Sequence, residues 1–168
     1  MSMKDERPRS ASGAPPQGGA ASGPAAPVPR RPLDVASVQS ALIEAARAAR
    51  ANAYAPYSKF AVGAAVLDEQ GRIHAGCNVE NAAYPQGWCA EASAIAAMVT
   101  AGGRRIMEVA VCAVSEHPVT PCGGCRQKLR EFAADDCPVW VADADGLRAT
   151  HTLGSLLPHG FGPQHLQP

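Results

Sequence analysis

The chain carries no net charge: 15 Lys+Arg stand against 15 Asp+Glu in 168 residues. That balance argues against a broad nucleic-acid-binding face and against an anionic membrane surface as the main partner. No run of about 18 apolar residues occurs, which excludes a transmembrane helix. A secretory signal needs an apolar stretch of about 7–15 residues. Residues 1–32 offer only scattered alanines and Val28, broken by prolines. An organellar transit peptide is poor in acids and amphipathic, whereas Asp5 and Glu6 stand near the start here and the prolines block a helix. There is no internal repeat, and the expected compartment is the cytoplasm.

What is present is unevenly spread. Residues 1–32 contain 21 Ala, Gly, Pro or Ser, including 7 of the 15 prolines, and carry five basic against two acidic groups. The remainder carries 10 basic and 13 acidic groups. The reading is a disordered basic tail, 1–32, ahead of a mildly acidic domain, 33–168, large enough to bury a core unaided. No function is assigned to the tail.

Within the domain, Asp34 can cap a helix running to about Ala53, with Val35, Val38, Leu42, Ala45 and Ala49 on one face. Phe60 to Leu67 and Ile73 to Cys77 read as a hairpin around the turn Asp68-Glu69-Gln70-Gly71. A helix opens at Cys89 and runs to about Thr100. It is apolar nearly all round and so predicted to be buried. Ile106 to Val114 is a strand, Cys122 to about Phe132 a helix, Pro138 to Ala142 a strand, and Leu153 to Leu157 a short helix. Helices alternating with strands after a hairpin indicate an α/β layered domain.

Six cysteines, at 77, 89, 112, 122, 125 and 137, could form disulfides. Disulfide frameworks belong to small, loop-rich secreted chains, which this is not. Cys112 reads as inert strand core, and Cys77 and Cys137 as structural. Cys122-Gly123-Gly124-Cys125 at a helix start suits a metal or a redox dithiol, but C-x2-C alone cannot close a tetrahedral zinc site. Cys89, also at a helix start, is the natural third ligand. No histidine lies close in sequence to supply a fourth; the five histidines (74, 117, 151, 159, 165) read as solvated or loop residues. Three protein ligands with one open position describe a catalytic zinc. Glu91, two residues after Cys89, projects toward the same place and can take a proton from water there.

Three segments together resemble the cytidine deaminases. They are Tyr54-Ala55-Pro56-Tyr57-Ser58-Lys59-Phe60-Ala61-Val62-Gly63-Ala64-Ala65, then Gly76-Cys77-Asn78-Val79-Glu80-Asn81-Ala82-Ala83-Tyr84-Pro85 followed by Cys89-Ala90-Glu91, then Pro121-Cys122-Gly123-Gly124-Cys125-Arg126-Gln127. The resemblance spans about 35–163. It implies an α/β/α sandwich with a mixed five-stranded sheet, the fifth strand near Leu147 to Thr150. It implies one Zn(2+) per subunit on Cys89, Cys122 and Cys125, with Glu91 as the general acid–base.

The resemblance further implies that Asn78 and Glu80 bind the ribose, and that Glu80 repels phosphorylated substrates. Phe60 would pack on the pyrimidine, the Ala90 N–H would bind the base carbonyl, and Phe161 would reach a neighbouring subunit's site. It implies the short, homotetrameric form of the family, with sites shared between subunits. The implied reaction is hydrolytic deamination of cytidine and deoxycytidine in pyrimidine salvage, on a nucleoside and not on nucleic acid.

One departure stands out. Ala92 occupies a position where the short family commonly carries an Arg that helps neutralise the thiolates. Gln127, Arg126 or the helix ends are expected to balance that charge instead. Two enzymatic alternatives are a deaminase of another aminopyrimidine nucleoside, such as a blasticidin-type antibiotic, and a nucleic-acid editing deaminase. The first need not keep Asn78 and Glu80; the second needs a basic groove. A non-enzymatic zinc module would have no need of Glu91.

Overall fold

The structure, a computed structural model, describes residues 35–166. The expected tail, 1–32, and the Asp34 cap lie outside the described residues. Helix α1 (Val35–Arg50) ends three residues short of the predicted Ala53, where a turn takes over. Strands β1 (Val62–Asp68) and β2 (Ile73–Cys77) form the hairpin, and Gly71 takes the left-handed φ of 73° that its turn requires. Then come α2 (Ala90–Thr100), β3 (Ile106–Ala113), α3 (Gly123–Arg130), β4 (Pro138–Ala142), β5 (Leu147–Thr152) and the one-turn α4 (Leu153–Leu156).

The strands form one mixed sheet in the order β2-β1-β3-β4-β5. All neighbouring pairs are antiparallel except β3 and β4. The strand period of two splits the core into two layers. Ala64, Val66, Val109 and Val111 pack against Ala94, Ile95 and Met98 of α2 and Leu129 of α3. Ala65, Ala110 and Cys112 pack against Leu42, Ile43 and Ala46 of α1. The expected α/β/α sandwich with five strands is what the chain forms, and the fifth strand runs two residues past Thr150.

Small residues set the layer spacing. A Cβ at Gly63 would collide with the Ala46 carbonyl and the Arg50 backbone, so α1 can lie this close to β1 only over a glycine. The predicted strand start at Phe60 is two residues early. The Asn78 side chain takes the pairing there: Val62 N–H donates to its Oδ1 at 2.8 Å, and its Nδ2 donates to the Phe60 carbonyl at 2.9 Å. His74 is not a solvated residue as expected; it lies on β2 and bonds the buried Asp68 at 2.8 Å. Among the described residues, no helix is long and apolar enough to cross a membrane.

Candidate active site

The N-termini of α2 and α3 bring three cysteines together. Cys89 is the N-cap of α2 and Cys122 the N-cap of α3, both in extended backbone, with Cys125 one turn into α3. Neither cap uses its side chain to satisfy the helix, so both sulfurs are free to face another group. The sulfurs of Cys89, Cys122 and Cys125 all lie within 4.8 Å of one another, with Cys89 and Cys122 at 4.0 Å. All six cysteines are unpaired thiols. Tetrahedral zinc with Zn–S bonds of about 2.3 Å puts its sulfurs about 3.8 Å apart. The triangle therefore fits zinc and is far too wide for a disulfide, whose S–S bond is about 2.05 Å.

Glu91, 4 % exposed in the first turn of α2, turns its carboxylate to the same point and accepts from Cys125 Sγ at 3.2 Å. Burial, and then this carboxylate, push the Cys125 thiol far above its ordinary range. Burial also pushes Cys89 up. At Cys122 burial acts the same way, but the backbone N–H and side chain of Cys125 and the side chain of Cys89 outweigh it, and the thiol sits low. A buried thiol beside a carboxylate ionises only when a cation joins them, which is the donor chemistry that zinc meets.

Beside the sulfurs lies a cavity of about 190 Å³ lined by Phe60, Asn78, Cys89, Ala90, Glu91 and Cys122, with Val62, Val111, Val119 and Thr120. Six of the nine residues expected at the site thus share one wall, and Cys125 lies behind it. Val62, Val111, Val119 and Thr120 stand outside the expected set. The segment just before Pro121 was the available sign for the last two.

Glu80 and Phe161 do not line this cavity. Glu80 borders a second hollow of about 400 Å³ with Tyr57, Ser58, Asn81, Tyr84 and Gly87. Its Oε2 accepts from the N–H groups of Tyr57 at 2.9 Å and Ser58 at 3.2 Å, and its Oε1 from the Ser58 hydroxyl. Chiefly through the Ser58 hydroxyl, the carboxyl is held below its ordinary range. Phe161, 56 % exposed, stacks on His165 with ring centroids 5.0 Å apart.

Neither side chain expected to balance the thiolates touches a sulfur. Gln127 donates to the Phe161 carbonyl at 2.9 Å. Arg126 donates to the carbonyls of Pro121 at 2.7 Å and Leu156 at 2.8 Å, and to Thr120 Oγ1 at 2.8 Å. Of the expected sources of positive field, the helix ends are what the described residues place at the sulfurs.

A family model described as the cytidine and deoxycytidylate deaminase zinc-binding region matches residues 36–141. A cytidine deaminase of Sporosarcina psychrophila is 45 % identical over 125 residues, covering 74 % of this chain and 92 % of its own. One of Halalkalibacterium halodurans is 41 % identical over 120 residues, covering 71 % and 91 %. The crystal structure of cytidine deaminase from Burkholderia pseudomallei superposes with a TM-score of 0.68 at 42 % identity, covering 73 % of this chain and 98 % of that one. With the family model matched across both cysteine segments and relatives covered almost end to end, the chain belongs to the cytidine and deoxycytidylate deaminase family.

Proposed function

We infer that this site deaminates cytidine and deoxycytidine by hydrolysis. The observation that carries the reading is the convergence of three sulfurs and one buried carboxylate beside a cavity that Phe60 also lines. Cys89, Cys122 and Cys125 would hold Zn(2+), one per subunit, which when bound acts as a Lewis acid that acidifies a water.

The remaining work falls to the chain. As a metal ligand Cys125 would have no proton to donate, and Glu91 Oε2 would be free to accept one from a water. Glu91 takes a proton from the attacking water and delivers it to pyrimidine N3. The water oxygen bonds to C4; Glu91 then moves the remaining proton of that C4 hydroxyl to the amino nitrogen, the C4–N bond breaks, the C4 carbonyl forms and ammonia leaves. Ala90, at the start of α2, lines the cavity, and its N–H is assigned to the base carbonyl. Phe60 supplies the ring against which the base packs.

Asn78 and Glu80 are assigned to the sugar. Each already bonds the 57–62 segment, yet each keeps capacity: Asn78 has one N–H and one lone pair left, and Glu80 has one acceptor position on Oε1. A carboxylate at that place disfavours a phosphorylated sugar, which points to a nucleoside in pyrimidine salvage. The same reading includes a cytoplasmic homotetramer in which exposed Phe161 serves a neighbour's site, and a domain beginning at about residue 33.

The test is ammonia release from cytidine, deoxycytidine, cytidine monophosphate and adenosine, for wild type and Glu91→Gln, with zinc measured in both. We expect turnover of the two nucleosides. We expect a loss of at least about 10³-fold in Glu91→Gln with zinc retained, since one carboxylate serves several proton transfers worth roughly 10²–10⁴ each. Full activity in the variant, or preference for the monophosphate, contradicts the assignment.

A further inference from the structure

We propose that Ser58 is a positioning residue for sugar recognition: its hydroxyl ties the Glu80 carboxylate to the Phe60 backbone and so fixes the one acceptor position that Glu80 has left for a substrate hydroxyl. The inference rests on the reading that Glu80 faces the sugar.

The geometry is a closed loop of hydrogen bonds between the 57–62 and 78–80 segments. The Ser58 hydroxyl donates to Glu80 Oε1 and accepts from the Phe60 N–H at 3.0 Å. The backbone N–H groups of Tyr57 and Ser58 both go to Glu80 Oε2. Oε2 is thereby saturated, and Oε1 keeps one lone pair. Asn78 closes the other side of the loop on Phe60 and Val62. Between Ser58 and Phe60, Lys59 holds a left-handed φ of 58°, a conformation that a residue with a side chain enters at a cost and that neighbouring contacts must maintain. The turn therefore presents the Phe60 ring to the cavity while its hydroxyl-bearing residue orients the carboxylate. Without the hydroxyl, Glu80 keeps its two backbone partners but Oε1 is free to rotate its remaining capacity away from one direction.

Ser58 is exposed, so Ser58→Ala removes a hydroxyl without opening a core cavity, and Ser58→Thr retains the hydroxyl. Steady-state kinetics of wild type and both variants should be measured on cytidine and 3′-deoxycytidine, with zinc content and melting temperature as controls. Ser58→Ala should raise KM for cytidine about three- to tenfold with kcat within about twofold, the pattern of lost uniform binding. On 3′-deoxycytidine, which lacks the sugar 3′-hydroxyl that the Asn78 and Glu80 pair is expected to bind, Ser58→Ala and wild type should have the same KM. Ser58→Thr should restore the wild-type KM on cytidine. An unchanged KM in Ser58→Ala, or an equal rise on both substrates, overturns the proposal while leaving the deaminase reading intact. A wild type that releases no ammonia from cytidine overturns that reading and the proposal with it.

Discussion

At the residue scale, the chemistry was legible wherever spacing along the chain carries it. Cys122 and Cys125 lie three residues apart on one helix turn, and Glu91 lies two from Cys89, so local spacing groups each pair, and the family resemblance joins the two. Residues whose partners lie far off could not be read. Nothing local tells that the Ser58 hydroxyl reaches Glu80, or that Arg126 bridges Thr120, Pro121 and Leu156 instead of facing a sulfur. The Arg126 geometry gives it a task of its own. Three of its N–H donors hold the segment that leads into Cys122 and anchor it to the end of α4, in a planar fork that a lysine cannot reproduce. Arg126→Lys should therefore weaken zinc binding by about 10- to 100-fold, the usual cost of losing support behind a metal ligand. Competition with a chromophoric chelator measures it, and an unchanged affinity would show that Cys122 is placed without this strut.

At the element scale, element types and order followed from periodicity, and the errors fell at ends that side chains decide. The start of β1 is set by Asn78, and the hairpin turn by Asp68, which no periodicity reveals as buried. Asp68, 1 % exposed, accepts from the N–H groups of Gln70 and Arg72 at 2.9 Å each and from Arg72 Nε at 2.7 Å, and bonds His74 Nε2 at 2.8 Å. Burial raises its pKa, but the bonds from His74 and Arg72 and the turn N–H of Gln70 outweigh burial and hold the carboxyl far below its ordinary 3.8. A folded-state pKa below the unfolded one means that this carboxylate stabilises the fold above about pH 3.8 and that the contribution fades as pH falls toward the folded value. Asp68→Asn leaves a buried amide facing donors and should cost about 2–4 kcal/mol at pH 7. Urea unfolding at pH 7 and pH 3 should show the gap between variant and wild type narrowing at the lower pH. An equal gap at both would mean that shape, not charge, holds the hairpin.

At the scale of the whole molecule, the isolated chain leaves part of its expected site elsewhere. Phe161 projects from the end of the domain, stacked on His165, and does not border the cavity that holds Glu91. A hollow lined by Trp88, Ala92, Ile95, Ala96, Val99 and Phe132, with Lys128 and Glu131, adds apolar surface along α2 and the end of α3. If Phe161 of one subunit completes the site of another, two defects on different chains must compensate. Glu91→Gln leaves Phe161 intact, and Phe161→Ala leaves Glu91 intact. When the two variants are coexpressed in equal amounts and assemble at random, about a quarter of sites combine an intact Glu91 with a neighbour's intact Phe161. Such sites should turn over with the wild-type KM, so the mixed preparation should contain a low-KM component that Phe161→Ala alone lacks. Separately purified variants mixed without subunit exchange should not show it. Kinetics of the mixture equal to the sum of the separate variants would place Phe161 outside every active site in the assembly, and the aromatic wall would then be Phe60 alone.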